Sequence, residues 1–355
     1  MLKPIPQRQL PADAQDWRNA LVAWFEQVGL DLPWRRSRDP YEILVSEVML
    51  QQTQLRVVLQ RQFYPRFMQV FPTLERLAVA SEQDLLKAWE GLGYYRRVRQ
   101  LQATAREVLE RHGGCFPSDA QTLAALPGLG PYTVGALLSF AFEQPAALVD
   151  GNVMRVLARL FDDATPIDST CGKKMAWQRA EMLLDQDRPR LYNSALMELG
   201  QRVCTVGVPR CVECPVASFC HSSQPHLLPI KAKKIKLTEL LEDVLMVESS
   251  SGHLLCVQER GARRTGLWRF PRVDELPPLP RQLVFSLDYG ITRYRVRMQV
   301  FECSERQVES SLCEGAAWHT PTELLALPMA APYRKALQQW LSPQRGFDGK
   351  SVSQD

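Results

Sequence analysis

The sequence predicts two domains of different class, a mainly α N-terminal domain followed by a smaller α+β domain. Three observations carry this. The chain has 355 residues, more than one domain usually holds. From Trp17 to about Val203 apolar residues recur at spacings of three and four, the mark of amphipathic helices. From Asp243 onward the pattern shifts to short runs of strand character bounded by turn residues. Hydrophobic residues at 45% and charged residues at 23% match ordinary globular usage, which excludes a disordered tail or a peptide. No apolar run reaches the roughly 18 residues of a spanning helix, and MLKPIPQRQLPADAQDW has neither apolar core nor cleavage site. A cytoplasmic protein without membrane segments is therefore expected. The net charge of +4 is compatible with a polyanionic partner but does not demand one.

Within the helical part, Tyr41, Leu44, Val45, Val48, Leu55, Val58 and Leu59 form one apolar stripe. Glu47 lies in this segment off the stripe, so a solvent-facing carboxylate is its plain reading. The stretch of about 118–142 holds two helices around a tight turn. Ser118 with Gln121 forms a capping box, Leu126-Pro127-Gly128-Leu129-Gly130 the turn, and Pro131 opens the next helix. This is a helix-hairpin-helix pattern. Backbone N–H groups left free at Gly128 and Gly130 suit a phosphate, although such turns are often mere connections. Twenty residues after that turn, an apolar run meets a helix start at Asp150, which reads as an N-cap.

Nine cysteines are an odd count in a chain without an export signal, so ligation is a better reading than a disulfide framework. Four of them, Cys204, Cys211, Cys214 and Cys220, fall within 17 residues as Cys-x6-Cys-x2-Cys-x5-Cys. Soft thiolates on one loop select zinc or iron–sulfur, and only the middle pair has the spacing of a zinc knuckle, which favours iron–sulfur. Arg202 and Arg210 beside the loop suit phosphates or simply a solvated helix end. Cys115, Cys171, Cys256, Cys303 and Cys313 read as small core residues.

The polar, basic stretch HSSQPHLLPIKAKKIK reads as a linker, placed at 223–238 after a helical domain of 1–222 with its cysteine loop at 204–220. Strand runs DVLMVES, HLLCVQER, RQLVFSL and TRYRVRMQVFE and a closing helix near Ala331–Leu341 then define a domain of 239–345, ahead of a disordered tail at 346–355. Arg293, Arg295 and Arg297 alternate with Tyr294, Val296 and Met298, so one strand face is basic. No solenoid repeat is present.

LPWRRSRDPY, SEVMLQQTQ, GLGYYRRVR, LPGLGPYTVGA, VDGNVMRVLARL and the cysteine loop, in this order over residues 17–222, resemble the adenine DNA glycosylase family of the helix-hairpin-helix superfamily. The likeness continues more weakly through GLWRFP. It implies a monofunctional base excision repair hydrolase on double-stranded DNA that removes adenine opposite 8-oxoguanine, and opposite guanine, working as a monomer with a [4Fe-4S] cluster on the four cysteines. By resemblance Glu47 protonates adenine and later helps activate water, Asp150 stabilises or captures the sugar cation, and Tyr132 and Asn152 hydrogen-bond around them. The Glu47 carboxyl should then titrate high. Tyr132 stands where strand-cutting relatives carry a Schiff-base lysine. Gln52 and Tyr94 would wedge into the duplex, Thr53 and Leu92 would approach the opposite base, and Trp34 and Arg35 would line the adenine pocket. Two departures stand out. Ser194 replaces a Glu or Gln that helps read adenine, and Ile291-Thr292-Arg293 replaces the Phe-Ser-His turn of the family's Nudix-like lesion-recognition domain, which leaves Thr292 and Arg293 as the candidate lesion contacts. A Nudix hydrolase box is lacking. The alternatives are a thymine glycosylase for G·T mismatches and a non-catalytic lesion-binding protein.

Overall fold

The computed structural model describes residues 14–232, 237–261, 264–276, 280–305, 308 and 315–342. The expected tail at 346–355, part of the expected linker and Cys313 lie outside them. The described chain forms two compact units, one of residues up to Ala78 together with Gln100–Lys234, the other of Val79–Arg99 together with the chain from Ile235. No described helix is long and apolar enough to cross a membrane.

The first unit is all helix. Its core gathers Trp17, Val153, Leu157, Tyr192, Leu196 and Leu199, from helices Ala14–Val28, Gly151–Leu160 and Pro189–Arg202. The helix Pro40–Leu50 begins with Pro40 behind an Asp39 cap that accepts from the Tyr41 N–H, and it buries Tyr41 and every residue from Ile43 to Met49. A helix buried all round has no solvent face. That corrects the solvent-facing reading of Glu47, which is 4% exposed. The hairpin forms as helices Ala120–Ala125 and Pro131–Phe140. Its cap is Asp119, which accepts from the Thr122 N–H, so the expected Ser118–Gln121 box is not formed. Gly128 sits at φ +76°, and a β-carbon there would meet Gln100 at 2.8 Å, so this turn position requires glycine.

The expected linker is partly structured. Arg159 Nε donates to the Leu228 carbonyl, Ile167 N–H to Ile230, and Ala232 N–H to Asp168, so residues up to Ala232 dock on the helical unit. The first strand already starts at Thr238. Apolar Leu228 is buried, which explains why a stretch with linker composition stays attached.

In the second unit, β1 (Thr238–Glu248), β2 (Leu254–Gln258), β3 (Trp268–Arg269), β4 (Gln282–Ile291), β5 (Tyr294–Ser304) and β6 (Ala316–His319) form one mixed sheet. Its order is β3-β2-β1-β5-β4, with β6 also on β2 and only β1–β5 parallel. This is the expected smaller α+β domain, closed by the helix Ala331–Trp340. Strands β3 and β6 and the short helix Pro321–Ala326 were not legible: two to six residues carry too little periodicity.

Val79–Arg99, helical in pattern and early in sequence, groups with this sheet rather than with the other helices. Glu90 pairs with Arg334 at 2.6 Å, Lys87 Nζ donates to Glu90 at 2.7 Å and to the Leu325 carbonyl at 2.6 Å, and Tyr95 O–H donates to the Met329 carbonyl. Both members of the Glu90–Arg334 pair are largely buried, so losing one strands the other's charge. Glu90→Ala is expected to cost about 2 kcal/mol and to speed amide exchange across 79–99. Unchanged exchange there would show that the pair does not hold the segment.

Candidate active site

Glu47 and Trp34 reach the same cavity from neighbouring helices. Pro33–Arg36 is a single turn opened by proline, and its Trp34 packs edge-on against Tyr64 at 5.1 Å. The cavity, about 290 Å³, is lined by Trp34, Arg35, Glu47, Ser194, Met197 and Gln201, among others. Trp34, Arg35 and Glu47 are thus brought together as expected, with Ser194 on the same wall.

The Glu47 carboxyl is pushed up to about 7, chiefly by burial. The Tyr132 O–H donates to Glu47 Oε2 at 2.7 Å and favours the anion, the Asp150 charge disfavours it, and the Arg35 charge favours it again. Burial outweighs the two favourable contacts. Burial and the same two carboxylates hold the Tyr132 phenol well above its ordinary pKa, so it stays a donor at neutral pH.

Asp150 is indeed an N-cap: Oδ1 accepts from the Val153 N–H at 2.7 Å. Its other oxygen, Oδ2, accepts from Asn152 Nδ2 at 2.8 Å. Asn152 Oδ1 in turn accepts from Arg155, whose Nε donates to the Cys204 carbonyl at 2.8 Å. A β-carbon on Gly200 would meet Asn152 at 2.8 Å, so glycine lets the Pro189–Arg202 helix approach this network. One chain of hydrogen bonds therefore joins the second carboxylate to the cysteine loop.

Arg155, Arg159, Glu198 and Gly200 were missed in the sequence reading. Their signal was present: charged residues inside apolar helices are rarely buried unless paired. Glu198 is fully buried and holds Arg35 at 2.8 Å and Arg202 at 3.0 Å. Arg159, also buried, donates to Cys204 Sγ at 3.3 Å and to the Thr205 carbonyl at 2.7 Å.

The four loop cysteines are free thiols in the first unit. Among the described residues no three His, Cys, Asp or Glu side chains converge closely enough for a single metal ion. Yet Cys214, raised to about 11 mainly by burial, is raised further by Cys204, Cys220 and Cys211. Four soft thiols within electrostatic reach of one another can hold a thiolate-ligated metal group. A buried guanidinium beside Cys204 suits thiolates.

The expected DNA contacts are distributed between the units. Gln52 and Thr53 follow the Pro40–Leu50 helix in the first, with Gln52 exposed and left-handed at φ +56°. Gly130 caps Pro131–Phe140, with open space beside its α-carbon. In the second, Tyr94 is exposed, whereas Leu92 is 6% exposed. Its side chain is among the buried apolar residues. Thr292 and Arg293 form the exposed tip of the β4–β5 hairpin.

Residues 45–176 match the family model of the HhH-GPD superfamily base excision DNA repair protein. The adenine DNA glycosylase of Mus musculus is 45% identical over 222 residues, 60% of this chain and 43% of the relative, so the chain spans less than half the length of that protein. The adenine DNA glycosylase of Mycobacterium tuberculosis is 37% identical over 208 residues, 58% of this chain and 68% of the relative. Among solved structures, a thermostable thymine-DNA glycosylase superposes with TM-score 0.53 at 29% identity, covering 59% of this chain and 95% of the other. Endonuclease III trapped on DNA superposes with TM-score 0.51 at 21% identity over 60% and 97%, a likeness of fold. With a relative matched over two thirds of its length at 37% identity, the chain belongs to the adenine DNA glycosylase family.

Proposed function

We propose that the chain hydrolyses the N-glycosidic bond of adenine standing opposite 8-oxoguanine, or opposite guanine, in double-stranded DNA, and leaves an abasic site. The observation that carries this reading is Glu47: a carboxyl lining a cavity, titrating near 7, with a phenol on one oxygen. Such a group can hold a proton at neutral pH and give it to a purine.

The target base must first leave the stack and enter the cavity beside Trp34 and Arg35. Glu47 then protonates adenine at N7, so that as the bond from sugar to N9 breaks the base departs neutral. Asp150 faces the sugar as it becomes a cation and stabilises or captures it. Water adds at the anomeric carbon, and the Glu47 carboxylate takes its proton, which restores the starting state. Tyr132 cannot form a Schiff base, so the enzyme is read as monofunctional. Gln52, Thr53 and Tyr94 are read as duplex contacts and the Gly128–Gly130 turn as a phosphate site. Thr292 and Arg293 are read as lesion contacts on a Nudix-like domain; Arg293 donates to the Tyr294 hydroxyl at 2.9 Å and stacks on its ring, a flat exposed group suited to a base or phosphate.

Cys204, Cys211, Cys214 and Cys220 would hold a [4Fe-4S] cluster, which when bound cross-links the loop and adds local charge. A cytoplasmic monomer is the matching setting, since reducing conditions keep thiols available.

The deciding experiment is single-turnover base release from duplexes with adenine opposite 8-oxoguanine or guanine, and thymine opposite guanine. Adenine release abolished by Glu47→Gln is expected. Thymine release alone would overturn the reading in favour of the activity named for the 29%-identical structure. Because the protonated fraction falls as pH rises through about 7, adenine release should fall above that pH. Loss of the alkaline limb through a group other than Glu47 would contradict the assignment.

Stability should fall over the same rise in pH. A carboxyl raised on folding costs nothing below its ordinary 4.5, where both states are protonated, and imposes its full cost above about 7. Glu47→Gln should therefore stabilise the protein more at pH 8 than at pH 4, with an upper bound on the order of 3 kcal/mol, read from melting curves. Sodium borohydride should trap no stoichiometric covalent complex, and metal analysis should return about four irons per chain rather than one zinc.

A further inference from the structure

Tyr94 presents a large ring to solvent from a backbone conformation that disfavours it. It is 46% exposed at φ +45°, between Gly93 at φ +67° and buried Tyr95. A left-handed conformation is unfavourable for a non-glycine residue and persists only where its surroundings fix it. Much of that fixing comes from one side chain a turn further on. The Arg97 guanidinium carbon lies 5.4 Å from the Tyr94 ring centre and 5.5 Å from the ring of Trp89, which is fully buried. Arg97 Nη2 donates to the Leu92 carbonyl at 3.2 Å, its backbone N–H donates to the Tyr94 carbonyl at 2.8 Å, and Trp89 Nε1 donates to the Gly93 carbonyl at 3.1 Å. Arg97 itself is 8% exposed, so its cation is set inside the turn and not offered to solvent.

We propose that Arg97 is a positioning residue for strand opening: it supports the Tyr94 ring from beneath, so that the ring enters the base stack already ordered. This deepens, and rests on, the reading of Tyr94 as the duplex wedge. A ring held by a planar cation loses little further freedom on insertion, whereas an unsupported phenol would have to be ordered at that step.

The test is a double-mutant cycle on the full chain with a duplex carrying adenine opposite 8-oxoguanine and 2-aminopurine as the neighbouring base. Arg97→Met keeps the stem and loses the cation, and Arg97→Lys keeps the charge and loses the plane. Each is read by single-turnover rate and by the fluorescence rise of 2-aminopurine on unstacking, alone and with Tyr94→Ala. Arg97→Met should slow base release about tenfold and lower the fluorescence rise, while in the Tyr94→Ala background it should change neither by more than about twofold. Wild-type behaviour of Arg97→Met beside a slow Tyr94→Ala would overturn the inference and leave the wedge standing. Full-speed Tyr94→Ala would overturn the wedge itself. Effects that multiply in the double variant would show that Arg97 acts elsewhere in the fold and would also overturn the inference. If Arg97→Met fails to fold, Arg97→Lys decides by the same cycle, a slowing that vanishes with Tyr94→Ala supporting the inference and a wild-type rate refuting it.

Discussion

The whole site depends on keeping one carboxyl out of water. Glu47 sits on a helix that presents almost no side chain to solvent, and that enclosure raises its pKa to about 7. The neighbours are matched to this. A phenol donor binds one oxygen without supplying a full charge, and Arg35, which would pull the pKa back down, is itself engaged by the fully buried Glu198. Free of Glu198, the guanidinium would turn more of its charge toward Glu47 and favour the anion. The cavity thus keeps a cation at its wall without surrendering the proton.

The second carboxylate is held by different means. Asp150 caps the N-terminus of its helix and accepts there from the Val153 N–H. Its remaining oxygen is tied through Asn152 and Arg155 to the Cys204 carbonyl. A loop rich in half-buried thiols is thereby part of the support for the reacting geometry. Arg159, four residues after Arg155 on the same helix, fastens that loop again at Cys204, Thr205 and Gly207. Two buried guanidiniums one turn apart do the work that a larger apolar interface would otherwise do.

Much of this was legible in the sequence, and the limits have physical causes. The two classes of domain, the hairpin, the four main strands and the closing helix follow from periodicity and turn residues, which act locally. For Glu47 periodicity offers only a solvent face, because an apolar stripe defines one face and cannot reveal that a helix is enclosed on every side; its high titration was expected from the family resemblance instead. The partners of Arg155, Arg159, Glu198 and Gly200 could not be read from the sequence, since each matters through a residue 45 to 163 positions away, as Arg35 and Glu198 show. The attachment of Val79–Arg99 to the sheet depends likewise on Glu90 meeting Arg334.

The backbone adds a physical criterion independent of motif. Among the described residues six non-glycine positions have left-handed φ, and three of them, Gln52, Tyr94 and Thr292, are positions assigned to DNA from the sequence alone. All three are exposed. In such conformations a side chain cannot relax into an ordinary helix or strand, and the cost of about 1 kcal/mol each must be met by surrounding structure. Structural turns would favour glycine or asparagine at these places. Glutamine, tyrosine and threonine instead keep a hydrogen-bonding or stacking group projecting from the surface, so the strain is retained where a side chain must be presented. Carboxyls fixed by named donors and exposed side chains on strained backbone are two forms of one arrangement, in which side-chain order is built in by folding.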